Sequence, residues 1–70
     1  MGEQNGHEVT IDYTNWHGER SKRRILPEGI FWGSNEWHPK EQWLLEARDL
    51  DKRETRVFAL KNIHSWEPNT

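Results

Sequence analysis

Apolar and polar residues alternate along much of this chain with a period of two, and no segment carries the 3.6-residue spacing of an amphipathic helix. Residues 42–63 show the pattern most fully. Two apolar runs of strand length, 43–47 and 57–60, flank a highly charged segment, which is the layout of a β-hairpin. Trp43, Leu45 and Ala47 share one face of the first strand, and Phe58 and Leu60 share a face with Arg56 on the second. A register that opposes 45 to 60 and 47 to 58 joins the two apolar faces and sets Asp49 against Arg56. Sliding it by one residue opposes Glu46 to Phe58 and Arg48 to Arg56, which is chemically poorer. The tip, Asp51-Lys52-Arg53-Glu54, lacks the Asn-Gly or Gly of a two-residue turn, so a longer loop is predicted.

Upstream, Val9, Ile11 and Tyr13 alternate with Thr10, Asp12 and Thr14, as in a half-buried strand. Asn15-Trp16-His17-Gly18 supplies turn chemistry, with Gly18 suited to a positive φ. A second strand starts in the basic run 20–24. Pro27 has no N–H for a ladder, so this strand must bend, bulge or run along an edge there before 30–32 resume it. Residues 33–41 read as a loop, with Pro39 biasing His38 to extended geometry and Trp37 folding back onto the domain. The expectation is all-β, with strands near 8–14, 21–32, 42–49, 55–61 and 62–66. The expected core is Ile11, Ile25, Trp43, Leu45, Phe58, Leu60 and Ile63. Residues 1–7 read as a disordered lead-in and 68–70 as a tail, leaving a single domain over 8–67.

Composition narrows the architecture. Seventy residues make one domain near the lower limit for folding without staples, and the absence of Cys excludes disulfides, thiolate zinc sites and thiol nucleophiles. Hydrophobic residues make up only 31%, but five Trp, two Phe and one Tyr concentrate burial in a few rings, each able to bury about 150–250 Å². A small β-barrel is the economical way to surround such rings and hide strand edges.

Charge and motif content narrow the function. Ten basic and twelve acidic residues give a net charge of −2, so no global field draws nucleic acid, and any anion must be held by a local patch. No stretch approaches the roughly 18 apolar residues of a membrane span, and the N-terminus lacks a signal-peptide pattern. A soluble, cytoplasmic protein is expected. The four His are scattered without ligand spacing, so neither metal nor cofactor is expected. No nucleophile elbow, phosphate loop or carboxylate pair is present, and the chain is not expected to be an enzyme.

The basic run is the first candidate site. Extended, it places Arg20, Lys22 and Arg24 on one face and Arg23 on the other, in line with Ile25. Neighbouring guanidinium groups can fork phosphate oxygens; the competing reading is a charged face guarding a strand edge. Arg56 can serve a ligand, pair with Asp49, or do both, and Arg48 on the opposite face can extend a basic patch. Tyr13 and Trp43 can stack a nucleobase or serve the core. Exposed members among Trp16, Trp32, Trp37 and Trp66 would mark a binding platform or a dimer contact.

Trp43-Leu44-Leu45, followed by Ala47, Asp49, Arg56, Phe58 and Ile63, resembles the C-terminal half of the bacterial WYL domain. That family is named for a Trp-Tyr-Leu triplet and carries an Arg-x-Phe-Arg strand after it. Ile11-x-Tyr13, Gly18 and Arg23-x-Ile25-x-Pro27-x-Gly29-Ile30 resemble its upstream half, so the likeness spans residues 9–66. Leu44 stands where the family has the triplet Tyr, and Ala59 where it has the second Arg. The resemblance implies a small Sm-like (Src-homology-3-type) barrel of about five strongly bent antiparallel strands. It implies a bacterial or phage sensing module in transcription regulation, holding a nucleotide or single-stranded nucleic acid through Arg23 and Arg56. Because the residues show no helix-turn-helix pattern, a stand-alone module is expected, with Arg24, Arg48, Tyr13 and Trp43 added as candidates from the residue patterns above. The alternative is a protein–protein interaction module that binds a partner or itself, and the Leu44 and Ala59 departures favour it.

Overall fold

The computed structural model describes residues 7–69, so the expected lead-in at 1–7, apart from His7, and Thr70 of the expected tail lie outside the described residues. Five strands form: β1 (Val9–Thr14), β2 (Arg20–Gly33), β3 (Gln42–Asp49), β4 (Glu54–Ala59) and β5 (Ile63–Pro68). They make one antiparallel sheet in the order β4-β3-β2-β1-β5, which is not closed. The one helical element among the described residues is a 3-10 turn, Leu60–Asn62.

The 14 residues of β2 organise the sheet. Its first half, Arg20–Ile25, pairs with β1, and Ile25–Gly33 pairs with β3. The ladder slips between Pro27 and Gly29, where proline cannot donate to a neighbour. The sheet folds over so that strands far apart in its order touch. The Tyr13 ring of β1 meets the Phe58 ring of β4 edge-on at 4.9 Å and 89°, and the Ala59 amide donates to Tyr13 Oη at 3.1 Å. Between the layers lies a core of Val9, Ile11, Tyr13, Ile25, Leu45, Ala47 and Phe58, with Leu60 and Ile63 partly buried against it.

The β3–β4 hairpin keeps the predicted faces but not the predicted register. Leu45 opposes Phe58, Ala47 opposes Arg56 and Asp49 opposes Glu54, a slip of two residues that keeps the paired side chains on their expected sides. It leaves Leu60, expected opposite Leu45, beyond the strand in the 3-10 turn. The reason is the Asp49 carboxylate, which does not wait for a cross-strand arginine. Its Oδ1 accepts from the amides of Asp51 and Lys52, both at 3.0 Å, and the Arg53 amide donates to the Asp49 carbonyl at 2.7 Å. Arg53 takes φ 58°, at a cost of about 1–2 kcal/mol for a residue with a Cβ. The acid thus closes a four-residue loop that has no glycine.

Trp43 is 54% exposed rather than core. It sits opposite Trp32 near the end of the β2–β3 ladder, whereas β4 joins β3 only from Leu44 onward. No third strand covers it, and the two indoles pack edge-on at 5.4 Å. Leu44, on the alternate face, is fully buried instead. The last strand runs to Pro68, opposite Val9. The Asn69 side chain bonds Glu8 Oε2 and Thr10 Oγ1, so the expected tail is tied to β1.

Candidate functional site

Two short loops meet at one end of the folded sheet, and asparagine shapes both. In the β1–β2 turn, Asn15 Oδ1 accepts from the amides of His17 and Glu19, each at 2.9 Å, and Gly18 adopts φ 87° as its position requires. In the β2–β3 loop, Asn35 Oδ1 accepts from the amides of Trp37 and His38 at 3.0 and 2.8 Å. Each Asn replaces a turn of backbone with its own side chain and presents the neighbouring tryptophan outward. Trp16 and Trp37 stack at 5.0 Å and 28°, and His17 lies on Trp16 at 3.7 Å. Both indoles remain more than half exposed.

This stack walls a cleft of about 430 Å³. Its other wall is the inner edge of β4, from Glu54 to Phe58, and Tyr13 and Arg23 close its base. Arg23 reaches it because β2 pairs Arg23 with Ile11, on the buried face. Its side chain is 19% exposed, donating from Nη1 to Asp49 Oδ2 at 3.3 Å and from Nε to Ser21 Oγ at 3.2 Å. Arg56, the second guanidinium of the cleft, donates to Glu54 at 2.9 Å rather than to Asp49. The two arginines therefore differ: one is held by a buried acid, the other by an exposed acid on the same rim.

Three of the six candidate residues, Tyr13, Arg23 and Arg56, thus line one cleft. Tyr13 enters as a buried wall rather than a free stacking ring. Burial pushes its phenol pKa up, only partly offset by the Ala59 amide and by the charges of Arg23 and Arg56. Trp43, Arg24 and Arg48 lie elsewhere. Arg24 bridges Asp51 at 3.0 Å and Glu8 at 3.6 Å, and Arg48 is exposed opposite Leu26 and Thr55.

The basic run is not a continuous positive patch. Arg20 forks Asp12 at 2.9 and 3.0 Å, and this contact holds the Asp12 carboxyl below its usual range. Trp16 and Trp37 are named from sequence only as a platform or dimer contact if exposed. Their stacking on each other, and the loop residues Asn15, Asn35 and His38 beside them, are what sequence reasoning did not assign to the cleft. The signal of the stack was an Asn one or two residues before each Trp.

A family model for the WYL domain matches residues 4–68. The chain belongs to the WYL domain family. No curated protein and no solved structure matches it. WYL domains are ligand-sensing modules, and the structure gives a physical account of this chain's two departures from the family pattern. Leu44 and Ala59 are direct cross-strand partners and both are fully buried. The two positions where the family resemblance expects a tyrosine and an arginine thus hold a matched apolar pair in this chain. Neither residue lines the cleft, so the exchange leaves Arg23 and Arg56 in place.

Proposed function

We propose that this WYL domain binds a nucleotide or a short single-stranded nucleic acid in the cleft between the Trp16–Trp37 stack and β4, in a transcription-regulation context. The observation that carries this reading is the convergence of Arg23, Arg56 and an exposed indole stack on one cleft. A phosphate would take Arg56 in exchange for Glu54, because that ion pair is exposed and worth only about 0–1 kcal/mol. Arg23, fixed by Asp49, supplies a second donor already in position. A base would extend the indole stack, a contact worth about 1–3 kcal/mol. The work is binding and signalling rather than catalysis. The strong curl of the sheet and its strand order support a Sm-like barrel left open between β4 and β5.

The test is titration of a short oligothymidylate at low and high salt into wild type, Arg56→Ala and Trp37→Ala. Binding that weakens with salt and falls several-fold or more in each variant supports the reading. Equal binding by all three proteins overturns it. A second reading, contact with another protein or a second copy, is favoured by the exposure of Trp32 and Trp43 at 55% and 54%, away from the cleft.

A further inference from the structure

Among the described residues, β2 beyond Ile25 has a neighbour on one side only. Residues 26–33 pair with β3, whereas β1 pairs with Arg20–Ile25 and reaches no further. Among the described residues no backbone hydrogen bond occupies the other side of 29–33. Natural sheets guard such edges with charge, proline or a covering loop. The outer strand β4 carries Glu54 and Arg56, β5 carries Glu67 and Pro68, and the first half of β2 carries Arg20 and Lys22. Gly29-Ile30-Phe31-Trp32-Gly33 carries no guard. Ile30, Phe31 and Trp32 are 58%, 40% and 55% exposed, and a Cβ built on Gly29 would meet nothing within 4 Å.

We propose that this edge pairs with the same edge of a second copy, giving a twofold-symmetric antiparallel dimer centred on Phe31. The segment is complementary to itself. About Phe31, Ile30 opposes Trp32 of the second copy on one face, Phe31 opposes Phe31 on the other, and Gly29 opposes Gly33. Glu28 falls opposite Ser34, so no like charges meet. Centring on Ile30 instead would set the Glu28 carboxylate against an indole. Trp43, packed edge-on against Trp32 at 5.4 Å, widens the apolar surface around the new ladder. A five-residue ladder is small beside the roughly 800 Å² per partner of a standard interface, so the dimer dissociates on dilution. None of 29–33 lines the cleft, and ligand binding and dimer formation stand or fall separately.

The chain has no cysteine, which makes the register directly testable. Directly opposed residues in an antiparallel pair have Cα atoms about 4.5–5.5 Å apart, within the span a disulfide bridges. Under oxidation Phe31→Cys should form a covalent dimer rapidly, and Trp43→Cys, at a more exposed position but on β3, should not. Sedimentation of the wild type should show a concentration-dependent monomer–dimer equilibrium. Ile30→Lys and Trp32→Glu should each abolish it, and the combined variant should restore it, because each Lys then opposes a Glu. A wild type that stays monomeric at millimolar concentration overturns the proposal. So does cross-linking at Phe31→Cys no faster than at Trp43→Cys, or a dimer that survives both single charge substitutions.

Discussion

Arg23 and Asp49 form the contact that ties the cleft to the hairpin: a half-buried guanidinium on β2 donates at 3.3 Å to a fully buried carboxylate at the end of β3. The other oxygen of that carboxylate closes the β3–β4 loop. One acid therefore sets both the hairpin register and the position of the cleft arginine. Asp49→Ala would leave the guanidinium without its counter-charge and two turn amides without an acceptor, a loss of about 3–5 kcal/mol. Asp49→Asn keeps an acceptor for the amides and should cost less. Urea denaturation of the two variants measures the difference; equal, small losses would remove Asp49 from this role.

Across the fold, Tyr13 and Phe58 join β1 to β4 without a ladder between them. Phe58→Ala should cost about 3–5 kcal/mol, most of the stability of so small a domain. Tyr13→Phe keeps the ring but strips the Ala59 amide of its acceptor, an expected loss of about 1–3 kcal/mol. Trp43→Ala should stay within about 1 kcal/mol, since the indole is more than half exposed. Thermal unfolding that ranks Trp43→Ala with Phe58→Ala would contradict the burial assigned here.

The contrast between Trp43 and Phe58 shows how far the sequence could be read. Alternation gave the faces of β3 and β4 correctly, because a two-residue slip preserves side-chain parity. It could not give the slip itself, which depends on a carboxylate choosing backbone amides over a cross-strand guanidinium. Nor could it show where a covering strand stops, which is why Trp43 was expected inside and Leu44 was not. For the cleft, Arg23 was legible from its parity with Ile25. The Trp16–Trp37 stack was not, because it joins two loops 21 residues apart in sequence through tertiary packing.

That stack has its own optical signature. Two indoles at 5.0 Å should couple as excitons and give a paired circular-dichroism band. Trp37→Ala should abolish the band while the fold persists. Asn35→Ala should weaken it, because Asn35 Oδ1 is what holds the Trp37 and His38 amides. A band unchanged in Trp37→Ala would assign it to the Trp32–Trp43 pair instead.

His38 sets the response to mild acid. It is buried in the β2–β3 loop, and burial, with a smaller contribution from the charge of Lys61, lowers its pKa from the ordinary 6.5. The unfolded chain therefore binds a proton at a pH where the folded loop still resists one. Stability from the neutral ring is fully present above pH 6.5 and is lost as pH falls from there toward the lowered folded value. Asp12, lowered from 3.8 by its bond to Arg20, contributes in a separate window, its stability being lost only as pH falls below 3.8. Because His38 also lines the cleft, its titration should loosen the loop that presents Trp37. Denaturation midpoints measured from pH 7.5 downward should fall first near pH 6.5, and His38→Gln should flatten that step while leaving the lower one. A step that survives the substitution would assign the proton to another group.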